Sequence, residues 1–318
     1  MPGGHVGKVY QSVRGVVQGT VVHPLLQGGG NMQNLNEHNI TDEVVRRFAS
    51  APNPRLQEIM TSLVKHMHAF AREVQLTEDE WFQGIQFVTS VGQKCDDKRQ
   101  EFILLSDTLG LSQLVVAQNH KRPEGVTEQT VFGPFHLNGA PDLPPGSNIA
   151  AGVEGEPCFV TALVKAANGT PVVGATVDVW QADADGFYDV QHPEWQEMKL
   201  RAVFKTDHEG RFRLRTIKPC SYPVPTDGPV GTMLRALHQN PYRPAHLHVM
   251  INAEGYDRLI THVFVQGDAY LDADAVFGVR SSCIGDYVRH EPGVAPDGTR
   301  LTVPFYTLDY EFLLQPLA

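Results

Sequence analysis

The sequence predicts a mixed, mainly β protein, with an α-helical N-terminal domain followed by an antiparallel β-sandwich. Two observations carry this reading. Apolar residues recur at helical spacing up to about residue 125, and beyond about residue 130 glycine and proline become frequent while short alternating runs take over. With 318 residues, 42% of them hydrophobic, the chain can bury one large core or two ordinary ones.

Residues 1–35, with the Gly-rich patch "QGGGN", read as an N-terminal extension. The helical domain is predicted over residues 36–125. In "PRLQEIMTSLVKHMHAFAREVQ", Leu56, Ile59, Leu63, Met67, Phe70 and Val74 repeat at three and four, the signature of one apolar helix face. Thr77 followed by Glu80 reads as a capping box that opens a second helix, with Trp81, Phe82, Ile85 and Val88 behind it. A third helix is predicted through "DDKRQEFILLSDTLGLSQLVV".

The β domain is predicted over residues 126–318, with three hairpin candidates. "CFVTALVKAANGTPVVGATVDVWQAD" turns at Asn168–Gly169, "FKTDHEGRFRLRTI" is the second, and "AHLHVMINAEGYDRLITHVFV" turns at Glu254–Gly255. Regularly spaced short strands of this kind point to an antiparallel sandwich or barrel.

Composition excludes several function classes. A formal net charge of -10 argues against nucleic acid or an anionic membrane surface as partner. Cys95, Cys158, Cys220 and Cys283 form no CxxC pair, which fits reduced thiols in the cytoplasm. There is no apolar run of the roughly eighteen residues that a membrane span needs, and the first residues lack a signal peptide's apolar stretch.

The chemistry-bearing residues sit in the β domain. In "RPAHLHVMI", His246 and His248 are one residue apart on a strand-like segment, so both imidazoles share a face. An HxH alone fits a half-buried strand with two satisfied histidines as well as it fits a metal site. "DVWQADADGFYDVQ" carries Tyr188 in an acidic loop after a strand, and "IKPCSYPVPTDG" carries Tyr222 in a proline-rich loop. A phenolate suits a hard trivalent metal, whose charge drives deprotonation of the phenol. Two phenolates and one hydroxide would balance the three positive charges of ferric iron.

Taken together, "GPF" at 133–135, "DVWQADADGFYD", the Tyr222 loop and "YRPAHLHVMI" resemble the intradiol aromatic-ring dioxygenases. The resemblance runs from about residue 36 to the end of the chain. Within the family, "FILLSDTLGLS", "TVFGPFH" and "THVFVQGDAYLDADAVFGV" look most like the members that open hydroxyquinol, benzene-1,2,4-triol. The resemblance implies one Fe(3+) per chain, held by Tyr188, Tyr222, His246 and His248. It also implies a helical dimerisation domain joined to a catalytic β-sandwich, a homodimer through those helices, and a phospholipid at the dimer interface.

Roles follow from the same resemblance. Substrate binds as a chelating dianion and displaces one tyrosinate, assigned to Tyr222 because its loop suits a mobile ligand. Cleavage with dioxygen then gives 3-hydroxy-cis,cis-muconate, the enol form of maleylacetate. Arg243 matches a guanidinium that stabilises negative charge at the reacting carbon. His262 stands where catechol-type members usually have glutamine, so its catalytic role is left open beside one in packing. The pocket wall is expected from Leu104 and Asp107, from Val131, Phe132, Gly133, Pro134 and Phe135, and from Val224, Pro225 and Val276. Asp107 is the polar exception, placed to accept a hydrogen bond from the third hydroxyl of hydroxyquinol or simply to cap a helix. Catechol or a chlorocatechol is the alternative substrate. A cupin is disfavoured because its HxH wants a glutamate three or four residues on, whereas Glu254 stands further away. A non-enzymatic transthyretin-like module leaves Tyr188, Tyr222 and Arg243 without a purpose.

Overall fold

The computed structural model describes residues 32–96 and 99–317. Of the extension predicted over 1–35, residues 1–31 lie outside the described residues, and Met32–Asn34 form a single 3-10 turn. The chain divides into two compact units between Val88 and Thr89.

The first unit holds α1 (Ile40–Phe48), α2 (Pro54–Glu73) and most of α3 (Glu78–Gln93). Asn53 caps α2, its side-chain oxygen accepting from the backbone N–H groups of Arg55 and Leu56 at 3.0 and 3.1 Å, with Pro54 at the first helical position. The expected capping box opens α3: Thr77 N–H donates to the Glu80 carboxylate at 2.9 Å, and Glu80 N–H to the Thr77 hydroxyl at 3.3 Å. The apolar stripe of α2 is half open to solvent, with Met67 57% and Phe70 56% exposed, and Trp81, Phe82, Ile85 and Val88 of α3 are exposed likewise.

The second unit holds α4 (Glu101–Thr108), α5 (Leu111–Asn119), α6 (Pro229–Ala236) and the strands. The single helix expected over 96–116 is broken at Gly110, whose φ of +73° is a left-handed conformation that suits glycine. This division of compact units is distinct from the change of composition near residue 125. Composition changes there, but α4 is built into the β part. Glu101 is fully buried and accepts a hydrogen bond from Val230 N–H at the start of α6. Arg99 pairs with both Glu101 and Asp227.

The strands are β1 (Pro157–Ala166), β2 (Thr176–Trp180), β3 (Arg201–Lys205), β4 (Arg211–Ile217), β5 (Tyr222–Pro223), β6 (Tyr242–Arg243), β7 (His246–Asn252), β8 (Leu259–Val265), β9 (Ile284–Gly285), β10 (Tyr287–His290) and β11 (Phe305–Leu314). One sheet runs β3-β2-β7-β8-β9, another β10-β11-β1-β4, and β5 pairs with β6. One apolar cluster draws on both larger sheets, with Val160, Phe212 and Phe312 from one and Phe204, Leu247 and Val249 from the other. The sheets are mixed rather than purely antiparallel, because β11 lies parallel to β1 and β9 parallel to β8. Both parallel partners are reached by long excursions, where no tight turn forces antiparallel pairing.

Of the three hairpins expected, only β7–β8 pairs as one. The Asn168–Gly169 turn forms, but pairing stops after Val172 N–H reaches the Val164 carbonyl. Pro171 has no N–H to donate and Gly174 takes φ +72°, which sends β2 into the other sheet. The second turn likewise separates β3 from β4. A Cβ on Gly210 there would meet the Val164 carbonyl oxygen at 2.5 Å, so the chain passes too close to β1 for any other residue.

Candidate metal centre

Strand alternation places the two histidines of β7. Leu247, Val249 and Ile251 point into the shared core, so His246 and His248 face the other way, 2% and 3% exposed. Within the sheet, His248 lies opposite Trp180 of β2 and His262 of β8, with the Trp180 ring stacked on it at 4.7 Å.

The loop after β2 delivers Tyr188. Asp183 folds it, accepting hydrogen bonds from the backbone N–H groups of Asp185 and Phe187 at 3.0 and 2.9 Å. Gly186 takes φ +88°, and a Cβ there would sit 2.5 Å from Cβ of Tyr222, so the two tyrosine loops can meet only at a glycine. The next residue, Asp189, pairs with the buried Arg201, which also donates to the Phe135 carbonyl at 3.1 Å; Phe135 in turn stacks on Tyr188 at 4.5 Å. Tyr222 on β5 is fixed by its register opposite Arg243 on β6.

The four side chains converge. Tyr188 Oη is 2.7 Å from Tyr222 Oη and 2.8 Å from His248 Nε2. His246 Nε2 is 3.2 Å from both Tyr222 Oη and His248 Nε2. Nδ1 of His246 lies 2.6 Å from the Pro244 carbonyl. A carbonyl only accepts, so Nδ1 carries the proton and Nε2 turns its lone pair to the centre. Burial lowers the pKa of both histidines, that of His246 to about 3, so the imidazoles are neutral. Burial raises the pKa of both tyrosines, which stay protonated unless a cation stands among them. Two nitrogen lone pairs and two buried phenols facing one point fit a transition-metal ion.

His262 completes a buried three-histidine cluster whose ring nitrogens lie within 4.8 Å of one another. Its Nδ1 is 2.5 Å from the Thr130 hydroxyl, while its Nε2 has no hydrogen-bond partner among the described residues. The tyrosine oxygens stand closer to the two β7 histidines than this looser grouping requires, which favours the two-tyrosine, two-histidine set. His262 lies beside it, 4.3 Å from the His248 ring, centre to centre.

Arg243 is buried and its Nη1 is 3.3 Å from His246 Nε2. Sequence reasoning missed its partner, Asp274, which pairs with it at 3.1 Å. The signal was present in "DADAVFG", because Asp274 also accepts from the N–H groups of Val276 and Gly278, a local turn that aspartate favours. Phe264, packed against the rings of both His246 and His262, was missed as well.

The remaining expected residues divide. Gly133 packs on the centre directly, since a Cβ there would lie 3.1 Å from Cε1 of His248. Phe132 meets Trp180 edge-on at 5.6 Å, and Val131 is buried near Gly278. Val276 adjoins Asp274, and Val224 is buried next to the Tyr222 strand, with Pro225 half-buried after it. Leu104 is buried on α4, whereas Pro134 is exposed. Asp107 on α4 is 5% exposed, and burial raises its carboxyl to about 6 against the lowering influence of Ser112 and Arg243. A cleft of about 510 Å³ opens beside Asp274, between Thr108, Leu234, Leu271 and Phe277.

Known proteins resemble the chain over both units. Residues 136–316 match the family described as "Dioxygenase" and residues 53–127 match "Catechol dioxygenase N terminus". The 6-chlorohydroxyquinol 1,2-dioxygenase of Cupriavidus pinatubonensis is 56% identical over 90% of this chain and 99% of its own. The hydroxyquinol 1,2-dioxygenase of a Rhizobium species is 45% identical over 87% and 95%. The solved hydroxyquinol 1,2-dioxygenase of Pseudomonas putida DLL-E4 superposes with a TM-score of 0.82 at 48% identity, covering 88% of this chain and 99% of that one. Catechol 1,2-dioxygenase from Pseudomonas arvilla C-1 is more distant, at 29% identity and a TM-score of 0.75. With the buried donor cluster, these matches make the chain a member of the intradiol ring-cleavage dioxygenases, enzymes that depend on non-haem iron.

Proposed function

We propose that this enzyme opens hydroxyquinol with dioxygen to 3-hydroxy-cis,cis-muconate, at one ferric ion per chain held by Tyr188, Tyr222, His246 and His248. The observation that carries the reading is the convergence of these four buried donors within 2.7 to 3.2 Å. Ferric iron bound there supplies the Lewis acidity that makes a catecholate reactive toward dioxygen. Tyr222 would be the residue that gives way to substrate, its phenolic oxygen taking up a proton that a substrate hydroxyl gives up. Tyr188, wedged under Phe135, stays in place. Nη1 of Arg243 aims a fixed positive charge at the carbon that gathers negative charge, in a site from which water is excluded. His262, neutral and held by Thr130, presents its Nε2 at the edge of the same space.

Asp107 selects the third hydroxyl. Asp107 is buried on α4 and feels the charge of Arg243, which supports a carboxylate beside the substrate. The proposed pocket wall takes Leu104, Val131, Phe132, Gly133, Phe135, Val224, Pro225 and Val276. Pro134 is exposed and leaves that wall. A ring-chlorinated hydroxyquinol is the second reading, favoured by the name of the 56%-identical relative.

The same proposal assigns the two facing sheets to a catalytic β-sandwich and the stripe of α2 and α3 to a homodimer interface, where an acyl chain of a phospholipid can lie. No helix among the described residues is long and apolar enough to cross a membrane. All four cysteines are free, which fits a reducing cytoplasm. Oxygen uptake and product analysis on hydroxyquinol, 6-chlorohydroxyquinol, catechol and 4-chlorocatechol test the substrate. A kcat/KM highest for a triol supports the reading, and one highest for catechol overturns it.

A further inference from the structure

We infer that Asp274 is a positioning residue, a buried carboxylate that orients Arg243 so that one guanidinium nitrogen, Nη1, addresses the reaction centre. Nε of Arg243 donates to Asp274 Oδ1 at 3.1 Å and Nη2 to Oδ2 at 3.4 Å. This two-point grip fixes the guanidinium plane, which a single contact would leave free to rotate. It leaves Nη1 on the far side of the fork, 3.3 Å from His246 Nε2.

The carboxylate is itself held rigid. Oδ1 accepts from Val276 N–H at 3.3 Å and Oδ2 from Gly278 N–H at 2.9 Å. Gly278 matters by its smallness, since a Cβ there would lie 3.1 Å from both Arg243 Nη2 and Asp274 Oδ2. Arg243 is held at its backbone end by pairing with Tyr222, so the carboxylate completes its restraint at the other end. Asp274 and Arg243 form an ion pair in which both side chains are almost fully buried, 2% and 5% exposed. Asp274 also lines the 510 Å³ cleft, so the same turn carries the wall residue Val276 and borders that cleft.

The inference rests on the proposed function, and the experiment separates the two. Asp274→Asn, Asp274→Glu, Arg243→Gln and the Asp274→Asn/Arg243→Gln pair are compared as iron-loaded enzymes on hydroxyquinol, with iron content and melting temperature recorded. Asp274→Asn keeps shape but not charge. Expected is retained iron, a KM little changed and a kcat lowered about a hundredfold, the cost of a catalytic group set out of line. Asp274→Glu recovers part of that loss. In the Arg243→Gln background the second substitution changes kcat by no more than about twofold, because there is no guanidinium left to position. A purely structural ion pair gives losses that multiply. Independently of turnover, the Arg243 Nε–H of metal-free protein is protected from solvent exchange, and Asp274→Asn abolishes that protection. If Asp274→Asn does not fold, Gly278→Ala forces the pair apart and lowers kcat in the same way. A wild-type enzyme inactive on hydroxyquinol contradicts the proposed function. An active wild type whose Asp274→Asn variant keeps its kcat, or whose losses multiply in the double variant, overturns the role of Asp274.

Discussion

The two tyrosines are held by different means. Tyr188 is fully buried, stacked under Phe135, with its own backbone N–H tied to Gln191 at 2.9 Å. Tyr222 sits on a two-residue strand that leads into Val224 and Pro225. Tyr188→Phe should therefore abolish both iron content and turnover, whereas Tyr222→Phe should keep a substantial share of the iron while slowing turnover. Metal analysis of the two variants checks this, and equal losses would show that the phenols are equivalent. Asp107 makes a separate prediction. Its folded-state pKa, about 6 against an ordinary 3.8, means that the folded chain binds this proton more tightly than the unfolded one. The group's contribution to stability therefore falls as pH rises from about 4 to 6, and at neutral pH its charge costs roughly 3 kcal/mol. Asp107→Asn should raise the melting temperature at pH 8 and lower the preference for hydroxyquinol over catechol about tenfold, the worth of a charge-assisted hydrogen bond. In the wild type the same preference should decline below pH 6, and in the variant it should be flat. At this scale the sequence was informative, because Tyr188, Tyr222, His246 and His248 sit in recognisable motifs. For Asp274 only the turn was legible in "DADAVFG", since an aspartate that folds a turn looks the same in sequence whether its oxygens also meet solvent or a buried guanidinium.

Elements bring those residues together through a few tight contacts. β7 works by alternation, turning Leu247 and Val249 to the core and the histidines to the centre. The loop after β2 works through Gly186, at φ +88° and with no room for a Cβ against Tyr222. Gly186→Ala should push the two tyrosine loops apart, reduce iron occupancy and destabilise the fold by at least about 1 kcal/mol through backbone strain alone. Iron content and denaturant melts test it, and a variant with full iron and unchanged stability would show that the loop has slack. Turn chemistry was readable at Asn168–Gly169 and at Glu254–Gly255, yet only the second joins two strands of one sheet. A turn motif reports local backbone geometry. Which sheet the chain enters afterwards depends on the partners of β2, and these are β3 and β7, strands that follow later in the chain.

On the scale of the molecule, α2 and α3 expose Met67, Phe70, Trp81 and Phe82, large apolar side chains of the kind that mark an association surface. Met67→Glu with Phe70→Glu should convert the proposed dimer to a monomer, and sedimentation of both forms checks it. Helical periodicity located this stripe from sequence alone, whereas the compact-unit boundary at Val88 was hidden, because the packing of α4 onto α6 through Glu101 leaves no compositional trace. The most direct test of the whole reading is the metal and its colour: iron quantified per chain together with the visible spectrum of freshly purified enzyme, before and after anaerobic addition of hydroxyquinol. Expected is one iron per chain and a phenolate-to-iron absorption band that shifts when substrate replaces Tyr222. A colourless protein holding stoichiometric zinc, or a band unmoved by hydroxyquinol, would contradict it.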